Sequence, residues 1–146
     1  RKALGNMLIQ GRCERLIDDL PVYFDPAHNP AALEMLVKSL KKRFPHQAMT
    51  AVVSFMKDKN YTEMLSILHT YHIQELVYHV LDDARCYVPE RPLTGVFENI
   101  PVTYTKSDLL EYLRDRRSHS GVILFTGSFR LYQLAREIST CLKEKR

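Results

Sequence analysis

The sequence predicts an α/β fold, a Rossmann-like three-layer domain with a mainly parallel sheet and an N-terminal β-hairpin. Three observations carry this. Short runs of strand-forming residues alternate with stretches of helical periodicity, the pattern of strand–helix–strand crossovers. Residues 121–125, Gly-Val-Ile-Leu-Phe, are apolar without alternation, as in a strand covered on both faces. Val22, Tyr23 and Phe24 run through a short polar loop into a helix start, which puts Asp25 and His28 at the carboxyl end of a strand. Open α/β sheets bind ligands there, and helix-end N–H groups attract anions.

At 146 residues, 45% hydrophobic and 26% charged, the chain suits one domain with a full core, residues 1–146. It begins at Arg1 rather than Met, as expected of a piece of a longer chain. No apolar run reaches the ~18 residues of a membrane span, and the N-terminus has no signal-peptide core. The three cysteines, Cys13, Cys86 and Cys141, include no C-x-x-C pair, so neither a disulfide framework nor a zinc site is indicated. A reducing cytoplasm fits best. The net charge of +4 would attract polyanions such as nucleotides. Much of it falls at helix ends, in Lys41-Lys42-Arg43 and Lys143-Glu144-Lys145-Arg146, where cations suit the dipole. No basic stripe interleaved with aromatics argues for nucleic acid.

Taken in order, residues 1–11 read as a lead-in. A strand over 13–17 turns at Asp18-Asp19 into a second over 21–24, forming the hairpin. Asn29 is a strong N-cap and Pro30 suits the first helical position. Leu33, Leu36, Val37 and Leu40 then mark one apolar helix face. Residues 49–55 form a buried strand. After Lys57-Asp58-Lys59, Asn60 and Glu63 have capping-box spacing, and Met64, Ile67, Leu68 and Tyr71 give a second helical stripe. Residues 75–80 form a third strand. Pro89, Pro92 and Gly95 break up 82–103, where a short helix near 93–99 and a short strand at 102–104 are expected. Thr105 and Asp108 flank a helix running to about Arg117, with Leu109, Leu110 and Leu113 inward. After strand 121–125, Thr126-Gly127-Ser128 turns into a last helix facing inward with Leu131, Leu134, Ala135, Ile138 and Leu142. His46, His69, His72, His79 and His119 are scattered and read as surface or partly buried.

Spacing alone leaves the candidate residues open. Asp25 and Asn29 equally suit a capped loop, Lys59 a solvated one, Ser128 an N-cap and Arg12 a surface cation. Neither G-x-G-x-x-G nor G-x-x-x-x-G-K-[ST] occurs, so the chain carries no phosphate loop.

Asp25-Pro26-Ala27-His28-Asn29-Pro30 closely resembles the signature of the C-terminal domain of the Mur ligase superfamily. It is most similar to the folylpolyglutamate synthase and dihydrofolate synthase branch. Gly11-Arg12, Asp58-Lys59 and Thr126-Gly127-Ser128 extend the likeness over most of the chain. The resemblance implies an ATP-dependent amide ligase whose central ATPase domain, with the phosphate loop and magnesium site, lies upstream of this chain. ATP phosphorylates a substrate carboxylate, here a folate or dihydropteroate, and the amine of L-glutamate attacks the acyl phosphate. The C-terminal domain closes over the nucleotide, presents the amino acid and is inactive alone. By the same resemblance Arg12 neutralises nucleotide phosphates, Asp25 accepts from ribose hydroxyls and Asn29 shapes the loop. His28 holds the amino acid or the reacting phosphate, while Lys59 and Ser128 grip the glutamate carboxylates. The implied enzyme is a cytoplasmic monomer, and this chain itself holds no metal.

Gln10, Pro26 and Asn60 depart from the folate branch, which more often has proline, a residue other than proline, and aspartate at these places. They bear on substrate rather than superfamily. A cell-wall muropeptide ligase is one alternative, and a non-catalytic nucleotide-sensing or interaction module is another. Five polar residues kept together speak against the second.

Overall fold

The computed structural model describes residues 13–73, 75–89, 100–117 and 121–144. Within them, six strands form one sheet: β1 (Glu14–Arg15), β2 (Val22–Asp25), β3 (Met49–Val53), β4 (Glu75–His79), β5 (Val102–Thr103) and β6 (Val122–Thr126). The helices are α1 (Pro30–Arg43), α2 (Tyr61–Thr70), α3 (Lys106–Arg117) and α4 (Tyr132–Glu144), the last entered through a 3-10 turn, Phe129–Leu131.

The strand order is β1-β2-β6-β3-β4-β5. β1 and β2 form the expected antiparallel hairpin, and every other pair is parallel. The last strand of the chain therefore inserts between β2 and β3. This reverses the direction in which the sheet grows and creates a switch point at the carboxyl ends of β2, β6 and β3.

The two layers follow from side-chain alternation. Tyr23, Ala51, Val53, Leu76, Tyr78, Val122 and Leu124 project into one core with Leu33, Val37, Leu40, Met64 and Leu68 of α1 and α2. Val22, Phe24, Val52, Val77, Ile123 and Phe125 project into the other with Leu109, Leu113, Ala135, Ile138 and Leu142 of α3 and α4. Each fully buried aliphatic or aromatic side chain contributes about 1.5–3 kcal/mol. A strand feeding both cores has no polar face to show, which is why residues 122–125 read as a continuous apolar run.

The helix starts are as expected. Asn29 Oδ1 accepts from Ala32 N–H at 2.9 Å with Pro30 in the first turn, and Asn60 Oδ1 accepts from Glu63 N–H at 3.2 Å. Thr105 Oγ1 likewise accepts from Asp108 N–H at 3.1 Å.

Some details differ. The buried face of α2 is Met64, Leu65 and Leu68, with Ile67 and Tyr71 half-buried. Tyr71 is turned to the flank, where its hydroxyl donates to Glu34 of α1 at 2.7 Å. Leu110 and Leu134 sit half-buried at the margins of their helices. His79 is not on the surface: it is 4% exposed, with Nδ1 2.7 Å from Thr103 Oγ1, because β4 is covered on both edges by β3 and β5. The helix expected near 93–99 lies outside the described residues.

Candidate functional site

The site is built from three loops that leave the sheet at one rim. The first joins β2 to α1. Asp25 ends β2, and its Oδ1 accepts from Ala27 N–H at 2.8 Å, so the carboxylate folds its own loop. Ala27 is buried beneath, while His28 and Asn29 are exposed. His28 Nδ1 lies 3.0 Å from the Pro26 carbonyl. A carbonyl only accepts, so Nδ1 carries the hydrogen, and in the neutral ring Nε2 is an acceptor.

The second loop joins β3 to α2. Ser54 and Phe55 are buried, and Met56, Lys57, Asp58 and Lys59 emerge from them. Lys57 N–H donates to Arg85 O at 2.8 Å, and Met56 bridges Cys86, which ties this loop to the segment after β4. Lys59 N–H returns to Met56 O at 3.1 Å.

The third follows β6. Thr126, Gly127 and Ser128 are all buried. Ser128 Oγ accepts from Arg130 N–H at 3.1 Å, so the serine does cap the 3-10 turn. Its hydroxyl still has a hydrogen to give. Among the described residues, Thr126 Oγ1 is buried with no hydrogen-bond partner.

These loops are level with one another. In the sheet register Thr126 of β6 stands beside Asp25 of β2 and Val53 of β3. The Asp25–His28 loop therefore leaves on one side of the Thr126-Gly127-Ser128 turn and the Lys59 loop on the other. Between the second and third loops lies a cleft of about 590 Å³ lined by Met56, Lys57, Asp58, Lys59, Ala84, Arg85 and Arg130. Asp83 sits at its edge, 3.1 Å from Arg130 Nη1 and 3.3 Å from Arg85 Nε. The Arg85 backbone N–H, together with its guanidinium, holds the Asp83 carboxyl below the usual carboxylate range.

Asp25, His28, Asn29, Lys59 and Ser128 thus occupy one rim, while Arg12 lies outside the described residues. Motif reading gave no role to Lys57, Asp83, Arg85 or Arg130, and it named Thr126 within the Thr-Gly-Ser turn without a role for its hydroxyl. Arg130, two residues past Ser128, could have been suspected from its closeness to the turn. Asp83 and Arg85 fall in a stretch without periodicity and could not. Among the described residues no group of three or more His, Cys, Asp or Glu could hold a metal ion.

The sheet is doubly wound, and its carboxyl rim carries cations, hydroxyls and helix starts, the groups that suit small organic anions. Residues 11–129 match the family described as Mur ligase, glutamate ligase domain, and the chain belongs to that family. It is 28% identical over 134 residues to the dihydrofolate synthase/folylpolyglutamate synthase of Bacillus subtilis, covering 88% of this chain and 30% of that protein. Its fold is similar to that of Escherichia coli FolC in complex with DHPP and ADP, at a TM-score of 0.75 and 21% identity, over 100% of this chain and 34% of that one. A bifunctional folylpolyglutamate synthase/dihydrofolate synthase with Mn, AMPPNP and L-glutamate bound matches at a TM-score of 0.71 and 20% identity, over 91% of this chain and 32% of the other. The expected likeness to the folate branch is borne out, and the chain spans about a third of the length of these relatives.

Proposed function

We propose that this chain is the amino-acid-presenting domain of an ATP-dependent ligase that adds L-glutamate to a folate or dihydropteroate carboxylate through an acyl phosphate. The domain works beside its own upstream ATPase domain, in a monomer in the cytoplasm. The observation that carries the reading is the cleft. Lys57, Lys59, Arg85 and Arg130 bring positive charge to it, and Asp58 and Asp83 bring two carboxylates. A dicarboxylic amino acid offers the same two signs in reverse.

In this reading Lys59 and Ser128 hold the carboxylates of L-glutamate. Asp25 accepts from the ribose hydroxyls of ATP, and Asn29 fixes the turn on which Asp25 and His28 are mounted. His28 faces outward, where it can meet the amino acid or the transferring phosphoryl group, and Arg12 takes the nucleotide phosphates. ATP and its Mg ion are held mainly by the ATPase domain. Bound there, they supply the activated phosphate. This domain's contribution is to position the amine and to exclude water from the acyl phosphate.

The test uses the full-length ligase that contains this chain, assayed for ATP-dependent joining of L-glutamate to dihydropteroate and to tetrahydrofolate. His28→Ala and Asp25→Ala should each lower turnover by about 100-fold or more with circular dichroism unchanged. Full activity in both variants, or a wild type that joins an amino acid only to a muropeptide, overturns the reading.

A further inference from the structure

We propose that Arg130, braced by Asp83, is the residue that makes the amino-acid site specific for an acidic side chain. The inference rests on the reading of the cleft as the amino-acid site and names the group that selects what enters it.

Arg130 leaves the β6 turn through a backbone N–H bonded to Ser128, so its position is fixed relative to the proposed carboxylate-gripping hydroxyl. Its guanidinium lines the cleft shared with Lys59, which comes from the opposite loop. Two cations on two walls are what a molecule with two carboxylates requires. Lys59 is a point charge, whereas Arg130 presents a planar fork that matches a carboxylate with two parallel hydrogen bonds.

The side chain of Arg130 is 47% exposed, and one guanidinium nitrogen stands 3.1 Å from Asp83 Oδ2. Asp83 is itself anchored, since Oδ1 accepts from Arg85 N–H at 2.9 Å. An anchored carboxylate restricts the arginine before ligand arrives, so less side-chain entropy is lost on binding. Among the described residues the guanidinium makes no hydrogen bond to another protein group. Nε and Nη2 are left for an incoming oxyanion.

Carboxylate and phosphate share this chemistry. The mixed charge of the cleft favours the first. Beside Lys57, Lys59, Arg85 and Arg130 stand Asp58 in the lining and Asp83 at the edge, and an amino acid, unlike a nucleotide polyphosphate, has a cation to set against a carboxylate. An amino acid with an acidic side chain brings an ammonium for Asp58 and two carboxylates for Lys59 and Arg130.

The test is kinetic, in the full-length ligase. Arg130→Ala should raise the KM for L-glutamate about 10- to 100-fold and should narrow the preference for L-glutamate over L-glutamine. Arg130→Lys should recover part of the loss, because charge remains but the fork does not. Asp83→Asn should raise the same KM by less, leaving kcat in place. Trapping of the acyl phosphate by hydroxylamine, which needs no amino acid, should be unchanged in all three. An unchanged KM for L-glutamate in Arg130→Ala overturns the proposal. So does a raised KM for ATP with reduced trapping, which would assign the arginine to nucleotide phosphate. A wild type that makes no product with L-glutamate would instead fail the functional reading, so the two failures are distinguishable.

Discussion

Thr126 carries a group that folding alone does not explain. Among the described residues its hydroxyl is buried without a partner, where β2, β6 and β3 end side by side. Leaving a buried hydroxyl unbonded costs about 1–3 kcal/mol. A core position under selection for stability alone would carry valine, which has the same shape. Thr126→Val should therefore hold or raise the thermal midpoint of the protein while raising the KM for L-glutamate or ATP in the full-length ligase. A lowered midpoint with unaltered kinetics would show that the hydroxyl serves the fold. Local chemistry of this rim was legible in the sequence: Asp25, Asn29, Asn60 and Ser128 each bond a backbone N–H two or three residues away. Arg130 with Asp83 was not, because that pair forms only when the segments that follow β4 and β6 meet across the end of β3.

At the scale of elements, β6 decides the architecture, and it is fenced by glycines. Gly121 before it and Gly127 after it have φ of +135° and +110°, conformations that L side chains rarely adopt. Each also presses against the flank of β3: a Cβ on Gly121 would collide with Ala48 O, and one on Gly127 with Ser54 O. Backbone is on the receiving side both times, so no side chain can yield. Gly127→Ala should lose at least about 2 kcal/mol in urea unfolding from strain and collision together, and Ser128 and Arg130 should be displaced with it. A loss within about 0.5 kcal/mol would mean that the turn relaxes. The elements themselves were legible because strand and helix periods differ and because Asn29, Asn60 and Thr105 mark helix starts. Strand order was not. Nothing local in residues 122–126 says that the last strand inserts between the first pair and β3; only the double-sided apolar run hints at a central place. On α2, Met64, Leu65 and Leu68 are buried, and Ile67 and Tyr71 pack half-buried against the same core. The Tyr71 hydroxyl is turned to Glu34 of the neighbouring helix, a contact that no helical period announces.

Over the whole molecule, pH tests whether the sheet is one cooperative unit through to its far edge. That edge, β5, is two residues long, and His79 holds it to β4 through Thr103. Burial lowers the His79 pKa by penalising the imidazolium, and the charge of Asp108 opposes this in part. The folded pKa is therefore below the unfolded one, and between the two the unfolded chain binds more protons. Stability is fully present above the unfolded value of about 6.5 and is lost as pH falls from there through the folded pKa. Asp83 and Glu137 are carboxylates with lowered pKa, the first through the Arg85 backbone N–H and the second through Gln133 and Lys106. Their share is present above the ordinary carboxylate value of about 4 and disappears below it. The two losses fall in separate windows, so the upper one can be assigned. His79→Asn keeps an amide that can reach Thr103 and cannot take a charge. Urea midpoints measured from pH 8 to pH 5 should fall below pH 6.5 in the wild type and stay level in the variant. Parallel falls in both would mean that protonation elsewhere destabilises the fold and that His79 does not couple β5 to the rest of the sheet.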